Sequence, residues 1–319
     1  MPIVIRAAEG MILPLRDVFP MAVVSDAQER MKCHYEAIGK LSVHQEEIRM
    51  RKALRLVLLF ALTLTFASQL MAAEIMGQVA VFNERAGWIA AATAQQQTTI
   101  FIDEVKMVND IKVLGEADIA AWAEANSEDG ELDVIILFGD FPGKLYAAGN
   151  AEPDDSVAEI FLEGGNMILN SGDYIFYINN GAGANGDAGL MNMTDSTFGM
   201  WTDGMVTSPT EDGLKYTPSL PKSITAPRCF VVSQIEANDE WELEVAFAEA
   251  AGNVDPGIIR NVEYGGRVGI FFQEAGAQWP RGMFLAEMFD NWLKEKVKSA
   301  AVDPQSKLST TWATVKGDL

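Results

Sequence analysis

Six side chains with usable chemistry fall at the ends of hydrophobic runs: Asp140, Ser171, Asp173, Tyr174, Gln273 and Glu274. A serine hydroxyl such as that of Ser171 becomes a nucleophile only with a base beside it. Carboxylates at adjacent strand ends share a proton or hold a hard cation such as Ca2+. Asp140 and Asp173 form one such pair, and Glu274 is the third carboxylate that an α/β fold would bring near. Tyr174, with Phe176, Tyr177 and Trp201, offers ring faces on which a carbohydrate could stack. Ser171, Asp140 and Glu274 are therefore catalytic candidates, and all six residues are candidate ligand contacts. Each also has a plain reading. Ser171 closes a strand with a turn bond to the backbone, the aspartates are solvated loop residues, and the rings pack under a long insertion.

What the chain lacks is as informative. It has two histidines, His34 and His44, and two cysteines, Cys33 and Cys229. A basic run at 50–55 precedes twelve uncharged residues at 56–67 and a small-residue end at 68–73. Those are the three parts of a secretory signal peptide. The apolar core is shorter than the roughly 20 residues a membrane span needs. No cysteine stands at the cleavage region to carry a lipid. The expectation is a bacterial protein translated from Met50, cut after Ala73, and exported to the periplasm or medium without integral membrane insertion. Residues 1–49 then read as a mis-assigned N-terminal extension.

Nine of the 24 Lys/Arg and seven of the 45 Asp/Glu lie in residues 1–73, which leaves 15 and 38, a net charge of −23 over 246 residues. A chain this acidic repels nucleic-acid phosphates. Both histidines and Cys33 precede the cut. Without a histidine, residues 74–319 assemble neither a Ser–His–Asp nor a Cys–His machine. They likewise hold no histidine-bearing zinc site, and one cysteine makes no thiolate cluster. The expectation leans away from an enzyme. Asp187, Asp195 and Asp203 lie among glycines but without the spacing of a calcium-binding EF-hand. Ca2+ is the one cofactor the strand-end carboxylates would suit.

The elements that must position these residues follow from pattern. Strands are expected at 78–82, 98–102, 110–114, 132–138, 166–170, 228–233 and 266–272, from β-branched and apolar runs. Helices are expected at 84–95, 116–126, 155–163 and 282–296. The helix at 155–163 takes Asp154 or Asp155 as N-cap and ends at Gly164-Gly165. The run at 132–138 suits a central parallel strand covered on both faces. Residues 241–250 alternate, placing Trp241, Leu243, Val245 and Phe247 on one side of an antiparallel strand. Residues 179–189 read as a flexible loop or strand-edge insertion and 191–221 as irregular. Cys229 reads as a buried, inert thiol. Strands alternating with helices give a three-layer α/β domain over 74–297 with a mostly parallel sheet, followed by a polar tail at 298–319. Such sheets place their sites beyond the C-terminal strand ends, here after Phe138, Asn170 and Phe272.

In four places the chain resembles the class I glutamine amidotransferase-like superfamily, including its ThuA-like branch. A strand ends in Leu137-Phe138-Gly139-Asp140. A helix runs through a glycine pair into a strand at 161–168. That strand leads to Asn170-Ser171-Gly172-Asp173, where the family has its nucleophile elbow. Residues 266–274 are similar to its last strand, which ends in a catalytic His followed by Glu. The resemblance covers about residues 76–296 and implies a flavodoxin-like fold. The departures put its chemistry in doubt: Ser171 replaces the Cys, Leu169 and Asp173 stand at glycine positions, and Gln273 occupies the region of the His. No Gly-x-Ser-x-Gly signature is present.

The resemblance implies a pseudoenzyme, an exported ligand-binding or accessory module for a small polar or carbohydrate ligand. The alternatives are a carboxylate- or metal-dependent hydrolase and an envelope protein that binds partners through its acidic surface and its Trp312 tail. N-terminal sequencing of the exported protein is expected to begin at Glu74. A chain that retains residues 1–49 would restore His34, His44 and Cys33 and overturn the exclusion of histidine chemistry.

Overall fold

The computed structural model describes residues 74–298 except 85–88, 173–174, 176–177, 180–181, 184, 201–203, 226–227 and 275–277. It also describes the strands Val4–Arg6 and Ile12–Pro14, which pair antiparallel. The chain divides into two compact units, Met1–Ala72 and Ala73–Leu319. The expected signal segment at 50–73 and all but the first residue of the 298–319 tail lie outside the described residues. Among the described residues no helix is long and apolar enough to cross a membrane.

The larger unit is an α/β domain. It begins β1 (Glu74–Phe82), α1 (Ala91–Glu104), β2 (Ile111–Val113), α2 (Glu116–Ala125), β3 (Leu132–Leu137), α3 (Val157–Glu163) and β4 (Met167–Asn170). A long excursion follows, with α4 (Gly186–Met193), β5 (Val206–Pro209), α5 (Glu211–Tyr216), β6 (Ile224–Thr225) and β7 (Phe230–Val231). The chain closes with β8 (Trp241–Ala246), β9 (Ala248–Ala250), β10 (Asn253–Val254), β11 (Gly257–Asn261) and β12 (Arg267–Ile270). Helix α6 runs Arg281–Glu287, continues through a π-helical turn at Met288–Leu293 and ends at Lys294–Lys296, before β13 (Val297–Lys298).

The main sheet has eight strands in a mixed, mostly parallel arrangement. Its parallel part runs β2, β1, β3, β4, β12. Strands β11 and β8 then add antiparallel at one edge, while β13 lies parallel to the start of β1. A five-stranded antiparallel sheet, β6-β5-β9-β10-β7, forms separately.

Strand alternation explains how the layers are filled. Val79 and Val81, Val134 and Ile136, and Met167 and Leu169 face a core shared with Phe101 of α1 and Phe284, Phe289 and Trp292 of α6. Ala80 and Phe82, Ile135 and Leu137, and Ile168 face the opposite core with Trp122 of α2 and Phe161 of α3. All six residues of β3 are buried, Asp133 among them, as the near-continuous apolar run at 132–138 suggests. Helix α3 starts at Ser156, one residue after the expected aspartates. Ser156 and Glu159 exchange bonds in a capping box that neither Asp154 nor Asp155 makes.

Residues 191–221 are not irregular throughout, since β5 and α5 form within them, and five further expectations need correction. Residues 98–102 are helical, not a strand, and the helix expected at 84–95 is instead α1. The β-branched run at Thr98-Thr99-Ile100 is overridden because α1 buries Ala94, Gln97, Thr98 and Phe101 on one face. Both threonines bond back within the helix, Thr98 to Ala94 O at 2.9 Å and Thr99 to Gln95 O at 3.1 Å. Residues 241–250 are not one alternating strand. A bulge between Leu243 and Val245 reverses the faces, so Trp241 enters one core and Val245 and Phe247 the other. The 228–233 strand shortens to β7, since Val232–Ile235 turns helical to bury Ile235. In the stretch expected at 179–189 as a loop or strand-edge insertion, Asn179 pairs with Ala182 in a short hairpin, and from Gly186 the chain forms α4, which buries Leu190 and Met193. Strand β11, between β8 and β12, has no counterpart among the expected strands.

The π turn in α6 has a visible consequence. It carries Asp290, whose carboxylate accepts the backbone N–H groups of Lys106 at 2.9 Å and Met107 at 2.7 Å and so fixes the chain leaving α1. Near the N-terminal strand ends, Arg267 is almost wholly buried and donates to Glu244 at 2.6 Å and Glu74 at 2.9 Å. Burial alone would lower the Arg267 pKa, but the bonds and charges of Glu244 and Glu74 outweigh it and hold the guanidinium charged. Arg267→Ala would strand Glu244 beside an empty buried site. Chemical denaturation is expected to show a loss of about 3–5 kcal/mol. A loss below about 1 kcal/mol, the range of exposed pairs, would contradict it.

Candidate functional site

The sheet brings together the three loops in which the site is expected. Leu137, Asn170 and Ile270 end their strands in register with one another. Ser171 N donates to Leu137 O at 2.8 Å, and Phe271 N to Asn170 O at 2.9 Å. A Cβ at Gly172 would stand 3.0 Å from Gly139 O, so the loop after β4 runs against the loop that carries Asp140.

Ser171 has no exposed surface, and among the described residues its hydroxyl has no hydrogen-bond partner. Its backbone N–H closes the strand, as the plain reading of this residue requires, but its side chain makes no turn bond. Asp140 is buried rather than solvated. Asp173, Tyr174, Phe176, Tyr177, Trp201 and Asp203 lie outside the described residues. Cys229 is buried, as its apolar surroundings suggest. Asp187 accepts Met200 N at 3.0 Å and acts in the framework.

Gln273 is wholly enclosed and cross-ties four segments. Its Oε1 accepts Ile175 N at 2.8 Å and Asn170 Nδ2 at 3.3 Å. Its Nε2 donates to Arg228 O and approaches Met200 Sδ at 3.4 Å. Glu274 is partly exposed, and its carboxylate accepts Trp279 Nε1 at 2.8 Å. The Trp279 ring stacks on Phe272, with centroids 5.6 Å apart and planes at 9°.

Two buried ions beneath this turn have no place in the sequence reading. Asp255 accepts Phe272 N at 2.7 Å and Gln273 N at 2.8 Å. Arg281 donates to Phe272 O and Glu274 O, both at 2.7 Å. Neither side chain has exposed surface. Burial pushes the Asp255 carboxyl up to about 6, against the pull of the two amides and Arg281. The available signals were an Asp before Pro256 and an arginine in the first turn of an apolar helix, the end where the helix dipole disfavours a cation.

A second cluster also escaped the sequence reading. Carboxylate oxygens of Glu159, Glu163 and Asp195 lie within 4.8 Å of one another, near the C-terminal end of α3. Glu159 rises to about 7, chiefly by burial, and Glu163 is raised for the same first reason. Glu159 already accepts Ser156 N in the capping box. Because α3 runs antiparallel to the strands it joins, this cluster lies toward their N-terminal ends, away from the three loops. A cleft of about 670 Å³ also opens there, beside Gly77, Gln78, Lys106 and Lys294.

No protein-family model matches this chain, and no curated protein matches it. The geometry nonetheless makes Gln273 the residue on which the strand-end loops hang. Gln273→Leu keeps the volume but orphans Ile175 N and Arg228 O. Each buried group left unsatisfied costs about 1–3 kcal/mol, which denaturation against the wild type would measure. A stability within about 0.5 kcal/mol of wild type, as at an ordinary surface site, would refute that role.

Proposed function

We propose that residues 74–297 form a flavodoxin-like domain of the glutamine amidotransferase-like type, ThuA-like in branch, that has lost amidotransferase chemistry. It acts after export as a binding or accessory module for a small polar, carbohydrate-like ligand at the strand ends. Apart from the two-residue β13, the parallel strands follow the order 2-1-3-4-5, counted along the chain, in keeping with a flavodoxin-like order. Helices α1 and α6 cover one face and α2 and α3 the other, in keeping with that fold.

The observation that carries the reading is Gln273. It stands in the region where the resemblance has its catalytic His, yet it is sealed from solvent and its amide is used to anchor neighbouring segments. A group buried and bonded in that way orients loops and does not exchange protons with a substrate. Ser171, sealed beside it, has no imidazole in 74–319 to take its proton. The accessible groups at this end are then suited to hydrogen bonding, Glu274 among them, and the charge of −23 favours a neutral ligand over an anionic one.

Thermal denaturation with a panel of neutral oligosaccharides tests this. A ligand present at a hundredfold excess over its Kd stabilises by about 2.7 kcal/mol, which raises the midpoint by roughly 2–4 °C per kcal/mol in a domain of this size. Tyr174→Ala and Glu274→Ala are expected to remove the shift. An unchanged midpoint across the whole panel would count against the reading.

A further inference from the structure

We propose that Asp255 is a proton-operated latch on the turn that carries Gln273 and Glu274. In the ionised form each carboxylate oxygen takes one backbone N–H, Oδ1 from Phe272 at 2.7 Å and Oδ2 from Gln273 at 2.8 Å. Asp255 has no exposed surface, so water cannot replace either bond. Arg281 grips the same turn by its carbonyls, Phe272 O and Glu274 O, and also reaches Phe271 O at 3.4 Å. The anion thus holds the amides and the cation holds the carbonyls.

The turn needs holding. Phe272 sits at φ 58°, in the left-handed region that a residue with a Cβ adopts unwillingly. A neutral carboxyl turns one of its two acceptor oxygens into a donor. Protonation from solvent therefore leaves one of the two amides facing a hydroxyl, a weaker acceptor than a carboxylate oxygen, and weakens the grip on a strained residue.

The chemistry falls in a useful pH window. Desolvation raises the Asp255 carboxyl to about 6, while the amides of Gln273 and Phe272 pull it back. The charged groups that act on it are Arg281, from α6, which lowers it, and Glu274, from the turn itself, which raises it. A carboxyl whose folded pKa is raised contributes stability that is fully present below about 4, its unfolded value, and is lost as pH rises through about 6. Acidification thus does not unfold the domain through this group. It completes protonation of Asp255 while the fold stays intact, and the two-amide grip is whole only above about 6.

Release at Phe272 and Gln273 is transmitted by the Gln273 side chain, which ties Asn170, Ile175 and the backbone of Arg228. A loosened turn frees the attachments of the strand-end loops together. The bearing on ligand capture rests on the binding-module reading, whereas the latch itself does not, and its test uses no ligand.

Trp279 is a built-in reporter, stacked on Phe272 and bonded to Glu274. The emission of the full chain, minus that of Trp279→Phe, is titrated from about pH 8 to about pH 4. The Trp279 component is expected to change with a midpoint of about 6. Asp255→Asn is expected to abolish that transition. Glu274→Gln, which removes the carboxylate bonded to the indole, is expected to keep it. Hydrogen exchange on the wild type is expected to show the Phe272 and Gln273 amides losing about fivefold in protection below the midpoint, the equivalent of one backbone hydrogen bond. A transition that persists in Asp255→Asn, or vanishes in Glu274→Gln, would overturn the latch. Should Asp255→Asn fail to fold, the wild-type exchange decides, and equal protection of both amides on either side of the midpoint overturns it.

Discussion

A parallel strand such as β3 has water on neither face, and this constraint organises the whole domain. Each crossover must lay a helix over the sheet, so α1 and α6 close one face and α2 and α3 the other. With both faces dry, polar groups can emerge only at the two ends of the strands. There the chain resolves them with its own side chains. At the N-terminal end, Asp133 N donates to Asn166 Oδ1 at 2.8 Å, and Asn166 Nδ2 donates back to Asn126 O at 3.1 Å. At the C-terminal end Asp255, Arg281 and Gln273 do the equivalent work for the chain leaving β12.

The two ends nonetheless resolve their polar groups differently. Arg267 links the starts of β12 and β1 to Glu244 at the bulge in β8, and the Lys296 ammonium approaches Glu244 at 3.5 Å. The C-terminal end also satisfies its buried ions, but it does so through the backbone of a turn that then presents Glu274 and Trp279 outward. Buried ions beneath a partly exposed turn hold its backbone amides and carbonyls. Ser171, at the end of β4, is sealed beside this turn.

Much of this was legible in the residues. The strands β3, β4 and β12 and the helices α2, α3 and α6 could be read locally, because each buries a face whose period is written in a few consecutive positions. The three strand-end loops followed from them. Helix α1 could not be read this way, because Thr98, Thr99 and Ile100 favour a strand until Phe101 finds Phe289, with ring centroids 5.2 Å apart. The bulge in β8 was likewise hidden, since one extra residue reverses alternation without altering composition.

What the sequence by itself determined is the class of the domain and the absence of histidine from residues 74–319. Alternating strand and helix patterns demand a covered sheet, and a segment without histidine cannot build an imidazole-driven machine. What only the tertiary structure decided is which polar residues are spent inside. Asp255 reaches Phe272 and Gln273 across 17 and 18 positions, Gln273 reaches Asn170 across 103, and Arg267 reaches Glu74 across 193. Hydrophobic periodicity is a property of neighbours along the chain. The satisfaction of a buried charge depends on partners that become neighbours only once the chain has folded.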